Sequence, residues 1–200
     1  LALGRKEWKP DTGIIRIVLK NGGVTALQQL MQPIGKILIQ GCINQYGVSV
    51  IAAFNAVNRV DDFACIPEQS ISHAMMTYIS QSVGAGNQEK KKEGFRKGLV
   101  LEVLYGILIF LVVFLFAQPI IHIFGSGKMA DIGANYLRCI AIFYILPGVT
   151  NGIQGYFRGI QKMKITLIST CIQISLRTIC VYTLVPHIGM KGAAYACAIG

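Results

Sequence analysis

Apolar runs long enough to cross a bilayer recur five times in this chain, at roughly 17–43, 48–83, 99–124, 132–157 and 163–185, and a sixth begins near 189. A helix of about 20 apolar residues spans the hydrocarbon core. Within lipid, an unbroken run of this kind satisfies its own backbone only by coiling into a helix. The expected fold is therefore all-α, a polytopic transmembrane helix bundle counted in spans rather than in soluble domains. Charged residues make up 14% of the chain, well short of the roughly 25% of an ordinary soluble domain.

A net charge of +10 could belong to a nucleic-acid-binding surface, so the placement of the 19 basic residues decides its meaning. Most of them fall in alternate connections. Arg5, Lys6 and Lys9 precede the first span, Lys90, Lys91, Lys92, Arg96 and Lys97 follow the second, and Arg158, Lys162 and Lys164 follow the fourth. The intervening connections, near 44–47, 126–131 and 186–191, hold only Lys128 and Lys191. Cytoplasmic loops of membrane proteins carry such an excess, which places the start of the chain inside and gives the charge to loops, with no nucleic-acid partner. Cys42, Cys65, Cys139, Cys171, Cys180 and Cys197 are scattered singly, without the spacing of a metal site or disulfide framework, and read as small core hydrophobes.

Two spans differ from the rest. In the first, Gln28, Gln32, Lys36 and Gln40 recur every four residues, drifting only about 40° per step on a helix, so they form one polar stripe. In the second, Asn55, Arg59, Asp62, Gln69 and His73 share a side. Arg59 and Asp62 have the spacing of an intrahelical pair. Asp61 and Glu68 lie seven residues apart on another shared face, about 10 Å from one another. Pro33 and Pro67 leave the carbonyls of Gln29 and Phe63 without donors, so kinks are expected there. Charged groups inside a membrane normally face a bundle interior or a water-filled cavity. Two readings follow: Gln28, Gln32, Lys36, Asn55, Arg59, Asp61, Asp62 and Glu68 line a solute or cation pathway, or the charges neutralise one another as a fixed network that orients the two helices.

The remaining spans are plainer. Leu99 to Phe124 is nearly all Leu, Ile, Val and Phe, with Glu102 near one end and Pro119 near the other, and is expected to face lipid. Gly148, Gly152, Gly155 and Gly159, and later Gly192, Ala196 and Gly200, have the spacing of close helix contacts. There is no phosphate-binding loop ending in Lys-Ser/Thr, no nucleophile elbow and no His-Glu-x-x-His. Neither a catalytic residue, a metal site nor a cofactor is expected, and the chain does not read as an enzyme.

Ala52-Ala53-Phe54-Asn55-Ala56-Val57-Asn58-Arg59, Pro67, and Ser80-Gln81-Ser82-Val83-Gly84-Ala85-Gly86-Asn87 followed by lysines resemble the eighth helix of multidrug and toxic compound extrusion (MATE) transporters. Gln154-Gly155-Tyr156-Phe157-Arg158-Gly159 resembles the end of the tenth. The resemblance runs along essentially the whole chain. It implies one six-helix lobe, the carboxy-terminal one, of a twelve-helix transporter, with residues 1–16 as a cytoplasmic inter-lobe link and 17–200 as the transmembrane lobe. The first residue is not methionine and the last lies inside an apolar run, which fits a piece of a longer polypeptide whose amino-terminal lobe is missing.

By the same resemblance the protein is a multi-pass plasma-membrane exporter, with a bacterial inner membrane expected. It would export small organic, often cationic, compounds in exchange for protons or sodium by alternating access. Some members carry an acidic residue in the seventh helix where Gln32 stands here, and another in the tenth near Pro147; neither is present. Coupling would then rest on the absent lobe or on Asp61, Asp62 and Glu68. The alternatives are a flippase for a lipid-linked precursor and a non-transporting membrane scaffold.

Overall fold

The computed structural model describes residues 12–199, and among these every regular element is helical. Helix α1 runs Thr12–Ile43, and a 3₁₀ turn at Asn44–Tyr46 leads into α2, Val48–Gly84. Then come α3 (Gln88–His122), α4 (Lys128–Ala141), α5 (Ile145–Gly159), α6 (Met163–Ile188) and α7 (Met190–Ile199). Arg5, Lys6 and Lys9, most of the expected inter-lobe link, and Gly200 lie outside the described residues. Positions 12–16 of that link belong to α1.

The junction between α2 and α3 shows how closely local sequence sets an end. Gly86 adopts φ +68°, the left-handed conformation in which glycine has no Cβ to clash. The Gly86 and Asn87 N–H groups bond back to the carbonyls of Val83 and Ser82, each at 3.0 Å, which closes α2. Asn87 then opens α3 by accepting the Lys90 N–H on Oδ1 at 3.0 Å.

Helix α3 carries two opposed stripes. Leu101, Leu104, Leu108, Leu111 and Leu115 are exposed, at steps of three and four that keep them on one face. Gly98, Glu102, Gly106, Val113, Ala117 and Ile121 are buried on the other. The leucine stripe is left exposed, as a surface toward lipid would be, whereas the opposite stripe is packed on α2, α4 and α5. Glu102 sits on the packed stripe.

The expected 132–157 span is a broken helix. Residues 142–144 form turns between α4 and α5, which bend by 52°. Pro147 lies in the first turn of α5, where its missing N–H is tolerated. A continuous helix would have needed that N–H for the Phe143 carbonyl, which instead accepts from Leu146 N at 2.9 Å. Helices α1 and α2, by contrast, run continuously through Pro33 and Pro67. The non-helical residue in α3, Phe116 (φ −105°, ψ 17°), precedes Pro119.

Among the described residues, α3 and α6 are each long and apolar enough to cross a membrane, and α4 with α5 passes as one bent span. At 32 and 37 residues, α1 and α2 reach about 48 and 55 Å at 1.5 Å per residue, so their polar residues, not their length, set them apart. Core residues from α1, α2, α3, α4, α6 and α7, including Ile43, Val57, Ile121, Leu137, Val181 and Ala194, form one cluster. Large apolar side chains exposed along α1, α3 and α6 are what a lipid-facing bundle presents.

Candidate functional site

The α1 stripe divides in two. Gln28 is buried, and its amide Nε2 donates to Gln154 Oε1 of α5 at 2.9 Å and to Thr170 Oγ1 of α6 at 3.0 Å. The Thr166 hydroxyl donates to its carbonyl oxygen at 3.2 Å, and Arg158 reaches Gln154 Oε1 at 3.0 Å. Gln28 is thus the hub of a network that joins three helices. Gln32 and Lys36 are exposed.

Helix α1 packs chiefly on α6, whereas α2 packs on α3, α4 and α5, so the two polar helices meet along only a short stretch. Lys36 Nζ bridges them to Asp62 Oδ1 at 2.5 Å, each side chain about half exposed at 49% and 53%. Asp62 is therefore taken by Lys36 and not, as its spacing suggests, by Arg59. An intrahelical pair needs only i,i+3 spacing, but the lysine arriving from α1 supplies the recorded contact. Arg59 and Asn55 are exposed on α2.

Asp61 follows a different course from its neighbour, because consecutive residues point about 100° apart on a helix. Its carboxylate accepts a hydrogen bond from the Tyr144 hydroxyl at the start of α5. The Arg177 guanidinium of α6 lies within its electrostatic reach, and the guanidinium Nε is buried with no hydrogen-bond partner among the described residues. Asp61, partly buried, faces the packed side of α2, and Asp62 the open face.

Glu68 points inward as well, with a relative exposure of 1%. Asn151 Nδ2 of α5 stands 3.4 Å from its Oε2, and Oε1 has no partner among the described residues. Glu102 of α3, not among the expected site residues, is 0% exposed with neither carboxylate oxygen partnered. Helix α5 comes close here because it is glycine there: a Cβ on Gly148 would meet the Glu102 carbonyl oxygen at 3.2 Å, and one on Gly152 would meet Glu102 Cγ at 3.4 Å. Further along, a Cβ on Gly155 would stand 2.8 Å from the Ser72 carbonyl oxygen, and the Ser72 hydroxyl donates to the Asn151 carbonyl at 2.7 Å.

The eight expected residues thus fall in three places. Gln32, Lys36, Asn55, Arg59 and Asp62 lie on the exposed faces of α1 and α2, Gln28 in the α1–α5–α6 network, and Asp61, partly buried, and Glu68, fully buried, on the packed side of α2. The signal for Glu102 was in the sequence: a lone carboxylate in a run of Leu, Ile and Val is costly in lipid and normally turns inward. Tyr144 and Arg177 had no such signal, since their partners come from the break between α4 and α5 and from the packing of α6. Among the described residues no three His, Cys, Asp or Glu side chains gather where they could hold a metal ion.

Comparison with known proteins gives a consistent picture. The MatE family model matches residues 25–183. The chain is 28% identical over 158 residues to the probable multidrug resistance protein YpnP of Bacillus subtilis (strain 168), covering 76% of this chain and 36% of that protein. It is 27% identical over 147 residues to a FAD transporter of Shewanella oneidensis, covering 71% and 32%. A crystal structure of a MATE protein in complex with MaD3S superposes with a TM-score of 0.88 at 19% identity, over 100% of this chain and 45% of that one. The chain therefore spans about a third of the length of these curated relatives and under half of the solved chain. It belongs to the MatE family of membrane transporters, and its helices correspond to one lobe of that family's bundle.

Proposed function

We propose that the chain is the carboxy-terminal lobe of a secondary active exporter, which works by alternating access and couples export to an inward flow of protons or sodium. The observation that carries the reading is the open polar face of α1 and α2, with Lys36 bridged to Asp62 in a bundle whose other long helices present leucine and isoleucine outward. A bundle needing only lipid-facing surfaces has no use for such a face, whereas one wall of a solute pathway does. The missing amino-terminal lobe supplies the other wall, and the protein sits in a plasma membrane, a bacterial inner membrane by the sources of its relatives. The multidrug name of YpnP supports a small organic, often cationic, substrate.

One observation favours a second substrate class. Because Lys36 occupies Asp62, Arg59 is left as an exposed cation on the same helix, which suits a substrate bearing an acidic group, as the FAD-transporting relative carries.

The test is uptake into inverted vesicles holding the intact protein, under an imposed proton gradient and then a sodium gradient, with a fluorescent organic cation and with FAD as probes. Gradient-driven uptake of the cation supports the first substrate class and uptake of FAD alone the second. No uptake of either, with binding of a lipid-linked precursor, overturns the exporter in favour of a flippase. If Asp61→Asn combined with Glu68→Gln lowers only protein yield and not uptake, coupling does not lie in this lobe.

A further inference from the structure

Glu68 of α2 and Glu102 of α3 are both buried against α5, Glu68 beside Asn151 and Glu102 beside Gly148 and Gly152. Three of their four carboxylate oxygens have no hydrogen-bond partner among the described residues, and Asn151 supplies the single donor, at 3.4 Å. The surrounding groups do not compensate. On α2 the nearby titratable groups are Asp61 and Cys65; on α3 there is Tyr105, whose hydroxyl donates to the Ala64 carbonyl at 2.9 Å. From the α5 side come the neutral Asn151 and, at its start, Tyr144, which is bonded to Asp61. Among the described residues no lysine or arginine forms an ion pair or hydrogen bond with either glutamate.

Two anions buried together without a counter-charge are not a stable arrangement, because nothing replaces the water each ion has lost. A divalent cation would cancel the charge but takes about six oxygen ligands, and among the described residues no third acidic, histidine or cysteine side chain joins the pair in metal-holding geometry. A proton needs only the oxygens present. We propose that the Glu68 and Glu102 carboxyls hold at least one proton between them inside the lobe, with Glu102 a proton-binding residue on α3. Released to water, that proton leaves one more carboxylate against the backbone of α5 at Gly148 and Gly152, with no side chain between. Helix α5 must then move away and admit water, so the charge of the pair and the seating of α5 bias each other. The exporter reading supplies a use for this proton but not its presence.

The experiment is infrared spectroscopy of the purified full-length protein, following the carboxylic-acid carbonyl band and its shift in heavy water across neutral pH. Wild type should show a protonated carboxyl band that Glu102→Gln and Glu68→Gln each remove or shift, that Glu102→Asp retains at a displaced frequency, and that Glu93→Gln on the surface leaves unchanged. An unchanged band in both glutamine variants overturns the proposal, and so does a band that sodium abolishes at constant pH, since that assigns the site to a metal cation. The band is measured without transport, so an inactive exporter leaves the proton site standing, and an active one does not rescue it.

Discussion

Helix α2 presents polar groups to two regions that obey different rules. On its open side Asp62 meets Lys36 of α1 with both side chains about half exposed, while Arg59 and Asn55 remain accessible. On its packed side Asp61 is held by Tyr144, and Glu68 is walled in by α3 and α5. The same residue types one position apart reach opposite fates because a helix turns about 100° per residue. Where water can screen and solvate, an ion pair contributes little to stability; where it cannot, each polar group depends on a partner placed by the fold. The open side is therefore free to serve binding, and the packed side is committed to geometry.

The sharpest way to break this division is to force α5 off α2. A Cβ at Gly155 already stands 2.8 Å from the Ser72 carbonyl oxygen, which is backbone and cannot swing aside. Gly155→Leu is expected to cost about 3 kcal/mol or more, seen as loss of monodisperse protein, whereas Gly22→Leu, with nothing within 4 Å of its Cβ, should purify normally. A smaller effect belongs to the buried amide. Gln28→Ala removes three hydrogen bonds that join α1 to α5 and α6, worth about 1–3 kcal/mol together. It should lower the thermal midpoint of the detergent-solubilised protein by several degrees. Gln32→Ala, on the exposed side of the same stripe, should leave the midpoint near its original value; equal losses at the two positions would dissolve the distinction between the regions.

How much of this was legible in the sequence differs between the regions for the same physical reason. The Gly84-Ala85-Gly86-Asn87 exit from α2 is written locally, since a left-handed glycine and an asparagine cap act within a few residues of themselves. The polar stripe of α1 follows from a spacing of four alone, yet the spacing cannot say that Gln28 lies under α5 and α6 while Gln32 lies in the open. The pairing of Arg59 with Asp62 failed because a helix periodicity knows nothing of Lys36 arriving from another helix. Glu102 was obscured by its leucine neighbours, which do face outward; the seven residues from Gly98 through Leu104 hold members of both stripes. The bend between α4 and α5 has its cause at Pro147, but a hydropathy run does not register a break that leaves the residues apolar.

The smallest expected change in stability is at the Lys36–Asp62 bridge, and it separates the two regions most directly. Both side chains are about half exposed, so removing the pair should alter stability by only about 0.2–1 kcal/mol, less than the loss of Gln28. If the open face is a pathway wall, transport should respond far more than stability does. Lys36→Met alone leaves Asp62 unbridged and Asp62→Asn alone frees Lys36, so the single variants push the charge of the face in opposite directions. Uptake of a cationic probe should rise or persist in Lys36→Met and fall in Asp62→Asn, with FAD uptake changing in the reverse sense. The exchange Lys36→Asp with Asp62→Lys restores the pair and the net charge, and should recover whichever uptake the wild type supports, with a thermal midpoint close to that of the wild type. Equal, parallel losses of stability and uptake in all three would mean that the bridge only holds α1 against α2. The open face would then be scaffolding of the same kind as the packed one.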